Sequence, residues 1–287
     1  MIAPECRGIR LPPENPRPEP LDATLFLRML TPSTLSAIDV GAVNISARGR
    51  HSGGDSRIHP RRILIGLWLG LRRTGLEGRV RTVTWLAIAV PLFAWHLAVW
   101  QFARSGGFES RWSVAGAMVA PIPFAISVPL LIWIPALLRS KRIAAVLDAV
   151  SPAWLVGFQI YRLRGGVFLT RWVAGELPGV FALPAGVGDV LVGVLAVPVA
   201  LLLQSGARSG RAAAHAWNVL GIVDLLVAIA IGALTTSGRL AVATPNTATR
   251  SYPLVMIPAF AVPLSLILHA LSLRQLQRSA RHRAASG

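Results

Sequence analysis

The chain has 287 residues, of which 53% are hydrophobic and only 14% charged, with a mean hydropathy of +0.57. A water-soluble domain carries about 25% charged residues, so this composition excludes an ordinary soluble enzyme and indicates a multi-pass membrane protein. The formal net charge of +17 does not indicate nucleic acid, because the arginines flank apolar runs, where they set membrane topology, and form no basic module.

Residues 1–61 are rich in Arg, Pro, Gly and Ser, as in RLPPENPRPEP, and are expected to be a disordered cytoplasmic leader. They lack the basic start, apolar core and cleavage site of a signal peptide. An alternative is that translation begins near Val80 or Val83. Cys6 is the only cysteine, which leaves no intramolecular disulfide or thiolate metal site. Lys141 is the only lysine, and with the Ala, Gly and Pro content this suggests GC-rich coding of bacterial origin. Within 62–81, RRILIGLWLGLRR has too short an uninterrupted apolar run to span. Nine helical residues rise about 13 Å against a core of about 30 Å, so an interfacial helix is expected.

Six spans are expected within 82–275, at 82–102, 114–138, 143–161, 184–203, 215–235 and 253–273. Trp85 and Trp100 sit near the ends of the first, as interface anchors. The second carries Pro121, Pro123, Pro129 and Pro135, tolerated in membranes where neighbouring groups satisfy the freed carbonyls. On the third, Asp148, Pro152, Leu155, Gln159 and Arg162 follow a 4-3-4-3 spacing, one polar face of a helix. Residues 163–182, broken by Gly165, Gly166, Arg171, Glu176, Pro178 and Gly179, read as a short interfacial or re-entrant helix on the outer side. Pro184 fits the first turn of the fourth span. Ala185, Asp189, Gly193 and Val197 share a face of small residues there, and Gly221, Asp224 (or Leu225), Ala228 and Gly232 do the same on the fifth, which makes the two faces expected partners. The tail, 276–287, is basic. Arginine and lysine placement puts both termini in the cytoplasm, in the plasma or inner membrane of a cell. The fold expected is all-α, a polytopic bundle of about six spans.

Ionisable groups inside a span mark the candidate site, because each costs roughly 2.5–3.5 kcal/mol at a helix centre. The candidates are Gln159, Arg162, Asp189, Asp224, Asn218 and His96, with Glu176 at the mouth. Asp189 is expected about 9 Å deep with Arg162 keeping it ionised, and Asp224 near mid-bilayer without a partner. Such a set would bind or move a small polar solute or a proton. The plain alternative is that the carboxylates tie helices together. A second reading is an accessory or scaffold subunit whose small-residue faces recruit another membrane protein or a second copy of the chain. An intramembrane enzyme ranks third. GxSxG, HExxH, P-loop and GxGxxG signatures at the required junctions are absent. His215 and His269 fall near the inner ends of their helices and are read as interface residues, not haem ligands. No cofactor or metal is expected, and the partner common to all three readings is the lipid bilayer.

The run QIYRLRGGVFL, GELPGVFALPAGVGD, WNVLGIVDL resembles uncharacterised bacterial multi-pass membrane proteins over about residues 143–235. The resemblance implies an integral membrane protein and carries no activity.

Overall fold

A computed structural model describes residues 78–110, 112–114, 117–139 and 151–286. The leader, the expected interfacial helix before residue 78, and the start of the third expected span with Asp148 lie outside them. The regular structure among the described residues is helical apart from one small hairpin, with turns and loops between the elements. In order they form α1 (Gly78–Arg104), β1 (Trp112–Val114), β2 (Ala117–Val119), α2 (Pro121–Arg139), α3 (Pro152–Gly157), a 3₁₀ segment (Phe158–Gly166) and α4 (Val167–Val173). Then come α5 (Gly179–Gln204), α6 (Arg208–Thr236), a short 3₁₀ turn (Ala248–Arg250), a π-helical turn (Ile257–Ala261) and α7 (Val262–Ser286).

Four of these helices are long and apolar enough to cross a membrane: Trp85–Arg104, Gly179–Gln204, Arg208–Thr236 and Ile257–Arg278. Their outward faces are aliphatic. Val187, Leu191 and Val194 line one side of α5, with Val194 54% exposed, and Val219, Val223 and Leu226 line one side of α6. The interior holds Gln159, Arg162, Asp189, Asn218 and His269. Apolar side chains outside and charges inside is the arrangement suited to a lipid surround.

At two helix starts the structure departs from the sequence pattern. The second apolar run does not begin as helix at residue 114, because Trp112↔Val119 and Val114↔Ala117 pair as a hairpin and the helix starts at Pro121. The fourth begins at Gly179, capped by Pro178, so Pro184 lies inside the helix and not in its first turn.

The segment expected to break at Gly165 and Gly166 instead continues. α3, the 3₁₀ segment and α4 follow one another without a turn, from Pro152 to Val173. At 1.5 Å per α residue and 2.0 Å per 3₁₀ residue this rod is about 37 Å long. Ser151 caps its start, accepting a bond from the Ala153 amide. The turn Ala174–Pro178 then reverses the chain into α5, with Gly175 at a φ of +76°, where a glycine avoids the Cβ clash.

α7 is the most buried of the four long apolar helices and forms the centre of the bundle. Leu155 of α3 packs with Ile267 and Leu271 of α7, and Trp133 and Ile134 of α2 close over them. Val99, Ala103 and Phe108 pack against Val255, Ala259 and Phe260, which docks α1 on the π-helical turn. Arg250 holds the loop after α1 in place by donating to the Phe108 carbonyl at 3.2 Å and to that of Glu109.

Candidate functional site

The 3₁₀ segment decides what faces the core. With three residues per turn, side chains three apart stack on one line, and its buried residues are Gln159, Arg162 and Gly165. Arg162, 3% exposed, projects from the middle of that line. Its Nε donates to Asp189 Oδ1 at 2.7 Å, and its Nη2 reaches Asp189 Oδ1 at 2.7 Å and Asp224 Oδ2. Its Nη1 turns the other way, 3.4 Å from the Gly221 carbonyl and 3.5 Å from His269 Nε2. A guanidinium has five N–H donors, and this set of acceptors addresses all of them.

The network continues inward from His269. Because Nε2 faces a donor, the ring proton sits on Nδ1, which donates to Asn218 Oδ1 at 2.9 Å. Asn218 Nδ2 donates in turn to the Ala214 carbonyl at 2.7 Å and to Ser272 Oγ at 3.0 Å. His269, Asn218 and Ser272 are fully buried.

Three glycines make room for these groups. A Cβ on Gly165 would run into Asp189, one on Gly188 into Asp224, and one on Gly221 into His269. At Gly193 the small-residue face of α5 meets the 3₁₀ segment, since a Cβ there would lie 2.8 Å from the Leu163 amide nitrogen. Nearer its start the same face meets α6, where Ala228 packs against the cluster that holds Ala185. α5 and α6 still pack together, and Trp217 Nε1 bonds the Val192 carbonyl at 3.0 Å.

Between Ser151 and Ser286 the chain has three acids, and each has an arginine partner. Asp189 and Asp224 share Arg162, while Glu176 pairs with Arg171 at 2.6 Å on the exposed turn before α5. Asp189 lies ten residues beyond Gly179, about 15 Å from that end of α5 and deeper than the expected 9 Å. Asp224, expected to lack a partner, is held by Arg162. One guanidinium against two carboxylates leaves one formal negative charge in excess.

Beside the ion cluster is a cavity of about 20 Å³, room for about one water. Arg162, Gly165 and Asp189 form one wall, and Tyr161, Ala261 and Ser265 another. The Tyr161 hydroxyl lies 2.6 Å from Ser265 Oγ and 3.4 Å from the Ala261 carbonyl, in the π-helical turn. Such turns recur at functional sites because they free carbonyls from the helix ladder.

Of the residues singled out in the sequence, Arg162, Asp189, Asp224 and Asn218 come together. Gln159 lies one 3₁₀ turn from Arg162, fully buried. Glu176 and His96 lie apart: His96 packs edge-on against Phe260, and its Nδ1 is buried without a hydrogen-bond partner. His269, Ser272, Ser265 and Tyr161 were not singled out as site residues. The stripe Ser265, His269, Ser272 on one helix, at spacings of four and three, is the signal that finds three of them. His215 is exposed and bonds to the Arg211 carbonyl of its own helix, so it makes no pair with buried His269. Among the described residues no group of three His, Cys, Asp or Glu side chains is placed to hold a metal ion.

No curated protein and no solved structure matches the chain. A family described as a domain of unknown function, DUF8737, matches residues 117–277, which takes in α2 and every residue of the ion cluster. The chain belongs to that family.

Proposed function

We propose that this is a multi-pass membrane protein that binds and passes protons at the Arg162–Asp189–Asp224 cluster. The observation that carries the reading is the charge count: one buried guanidinium answers two buried carboxylates. An uncompensated charge in a low-dielectric interior costs several kcal/mol, and a single proton cancels it. The cavity beside Asp189 favours a proton over the small polar solute, since it has room for about one water.

The rod from Pro152 to Val173 is long enough to cross by itself. With α1, α2, α5, α6 and α7 it makes six crossings, with both termini on the cytoplasmic side of a bacterial cell membrane. The two aspartates then sit near mid-bilayer, where intramembrane acids serve proton relays.

The test is a flux assay. Purified protein is reconstituted in liposomes containing a trapped pH-sensitive dye, and a proton gradient is imposed across the membrane. The wild-type protein should acidify the lumen, and Asp189→Asn or Asp224→Asn should slow it at least tenfold. Both variants keep an acceptor for Arg162, so their thermal unfolding should stay at or above the wild-type temperature. A wild-type rate no faster than that of the two variants removes the reading and leaves the carboxylates as struts.

A further inference from the structure

Arg162 separates two polar layers inside the bundle. Toward the turn at 174–178 lies the water-sized cavity with Tyr161, Asp189 and Ser265. Toward the turn at 205–207 the helices carry a second set. Gln159 lies about 6 Å along the 3₁₀ segment from Arg162. Asn218 lies about 4.5 Å along α6 from Gly221, and Ser272 the same distance along α7 from His269. The 3₁₀ segment and α6 run in one direction and α7 in the opposite one, so all three displacements point the same way. These three side chains therefore occupy one layer, and each is fully buried.

Asn218 and Ser272 bond one another at 3.0 Å, but Gln159 has no such match. Its Oε1 and Nε2 are both buried without a hydrogen-bond partner. A buried amide left in this state is costly, and folded proteins pair such groups with ordered water. The charged and titratable groups on the elements that flank the layer include Arg162 and Tyr161 on the 3₁₀ segment, Asp189 on α5, Asp224 and Arg211 on α6, and His269 and Arg274 on α7, with Arg211 and Arg274 on the side toward residues 205–207. His269 is committed at both nitrogens, to Arg162 and to Asn218, so it frames the layer.

We propose that the Gln159 amide binds water, and that this water takes the proton that the carboxylates release. The idea rests on the proton-binding reading above and supplies the second half of the path. The carboxyl O–H bond breaks, its electron pair stays on the carboxylate oxygen beside Arg162, and the proton goes onto the water. The hydronium so formed gives its proton to the Ser272 hydroxyl oxygen, which releases its own proton to solvent water on the side of the turn at 205–207, so that water and serine are both restored.

The test compares wild type with Gln159→Met, which keeps the length of the side chain and removes the amide. Liposome flux should fall at least tenfold, while the infrared titration of the Asp189 and Asp224 carboxyls stays as in wild type. Wild-type flux in this variant overturns the proposal. A merely unsatisfied amide would show itself by that unchanged flux together with a raised unfolding temperature. If Gln159→Met does not fold, Ser272→Ala takes its place: a flux loss of the same order supports the path, and wild-type flux overturns it. A wild-type protein with no carboxyl titration removes the underlying reading and this one together. Carboxyls that titrate, with flux indifferent to Gln159, remove this one alone.

Discussion

Gly165 and Asp189 lie so close that a Cβ on the glycine would collide with the carboxylate. Gly165, the first of the two glycines that look like a helix break in the sequence, is therefore the clearance that lets an acid of α5 reach Arg162. Gly165→Ala should destabilise the protein by about 1–3 kcal/mol, the usual cost of overpacking. Gly166→Ala should cost less, since its Cβ would meet only Val190, at 3.3 Å. Thermal unfolding in detergent checks the order of the two.

Removing Arg162 strands two carboxylates. Arg162→Met should cost about 3–5 kcal/mol, the penalty for breaking a buried ion pair. Adding Asp189→Leu and Asp224→Leu to that variant should restore most of the loss, because no buried charge then remains. Denaturation of the single and triple variants measures both, and a triple variant as unstable as the single one would contradict the ion-cluster account.

His269 and Asn218 should behave as a coupled pair. Asn218→Leu leaves the Nδ1 proton of His269 without an acceptor, at about 1–3 kcal/mol. The double variant Asn218→Leu/His269→Phe should cost less than the sum of the two singles. A double-mutant cycle should give a coupling of about 0.5–3 kcal/mol; a coupling of zero would contradict the hydrogen bond.

Val194, 54% exposed, distinguishes a lipid surround from water. In water, a surface substitution changes stability by about 0.5 kcal/mol or less. In hydrocarbon, Val194→Asp should cost roughly 2.5–3.5 kcal/mol of insertion. A glycosylation-mapping insertion assay should show the α5 span failing to insert in a measurable fraction of chains.

The long helices were legible because their apolar runs are continuous: α1, α5 and α6 each enclose the expected span and extend it by one or more turns. The 3₁₀ segment was not legible. Periodicity cannot tell three residues per turn from 3.6 over nine residues, and Gly165 and Gly166 carried the local signal of a break. That hid the stacking of Gln159, Arg162 and Gly165 on one line.

Arg162, Asp189 and Asp224 were found because charges inside apolar segments stand out. That one guanidinium serves both acids was missed, since it depends on which faces of three helices converge. His269 was missed because its helix was expected to end near residue 273, whereas α7 runs on to Ser286 and places the ring well inside. Tyr161 and Ser265 meet across 104 residues of sequence, a contact no local pattern contains.

The most direct measurement is an infrared pH titration of the reconstituted protein, following the C=O stretch of protonated carboxyl groups. It compares wild type with the Asp189→Asn/Asp224→Asn double variant. The account predicts a protonated-carboxyl band in the wild type that changes with pH, corresponds to one proton per chain, and is lost in the double variant. Identical spectra for the two proteins at every pH at which they stay folded would contradict it.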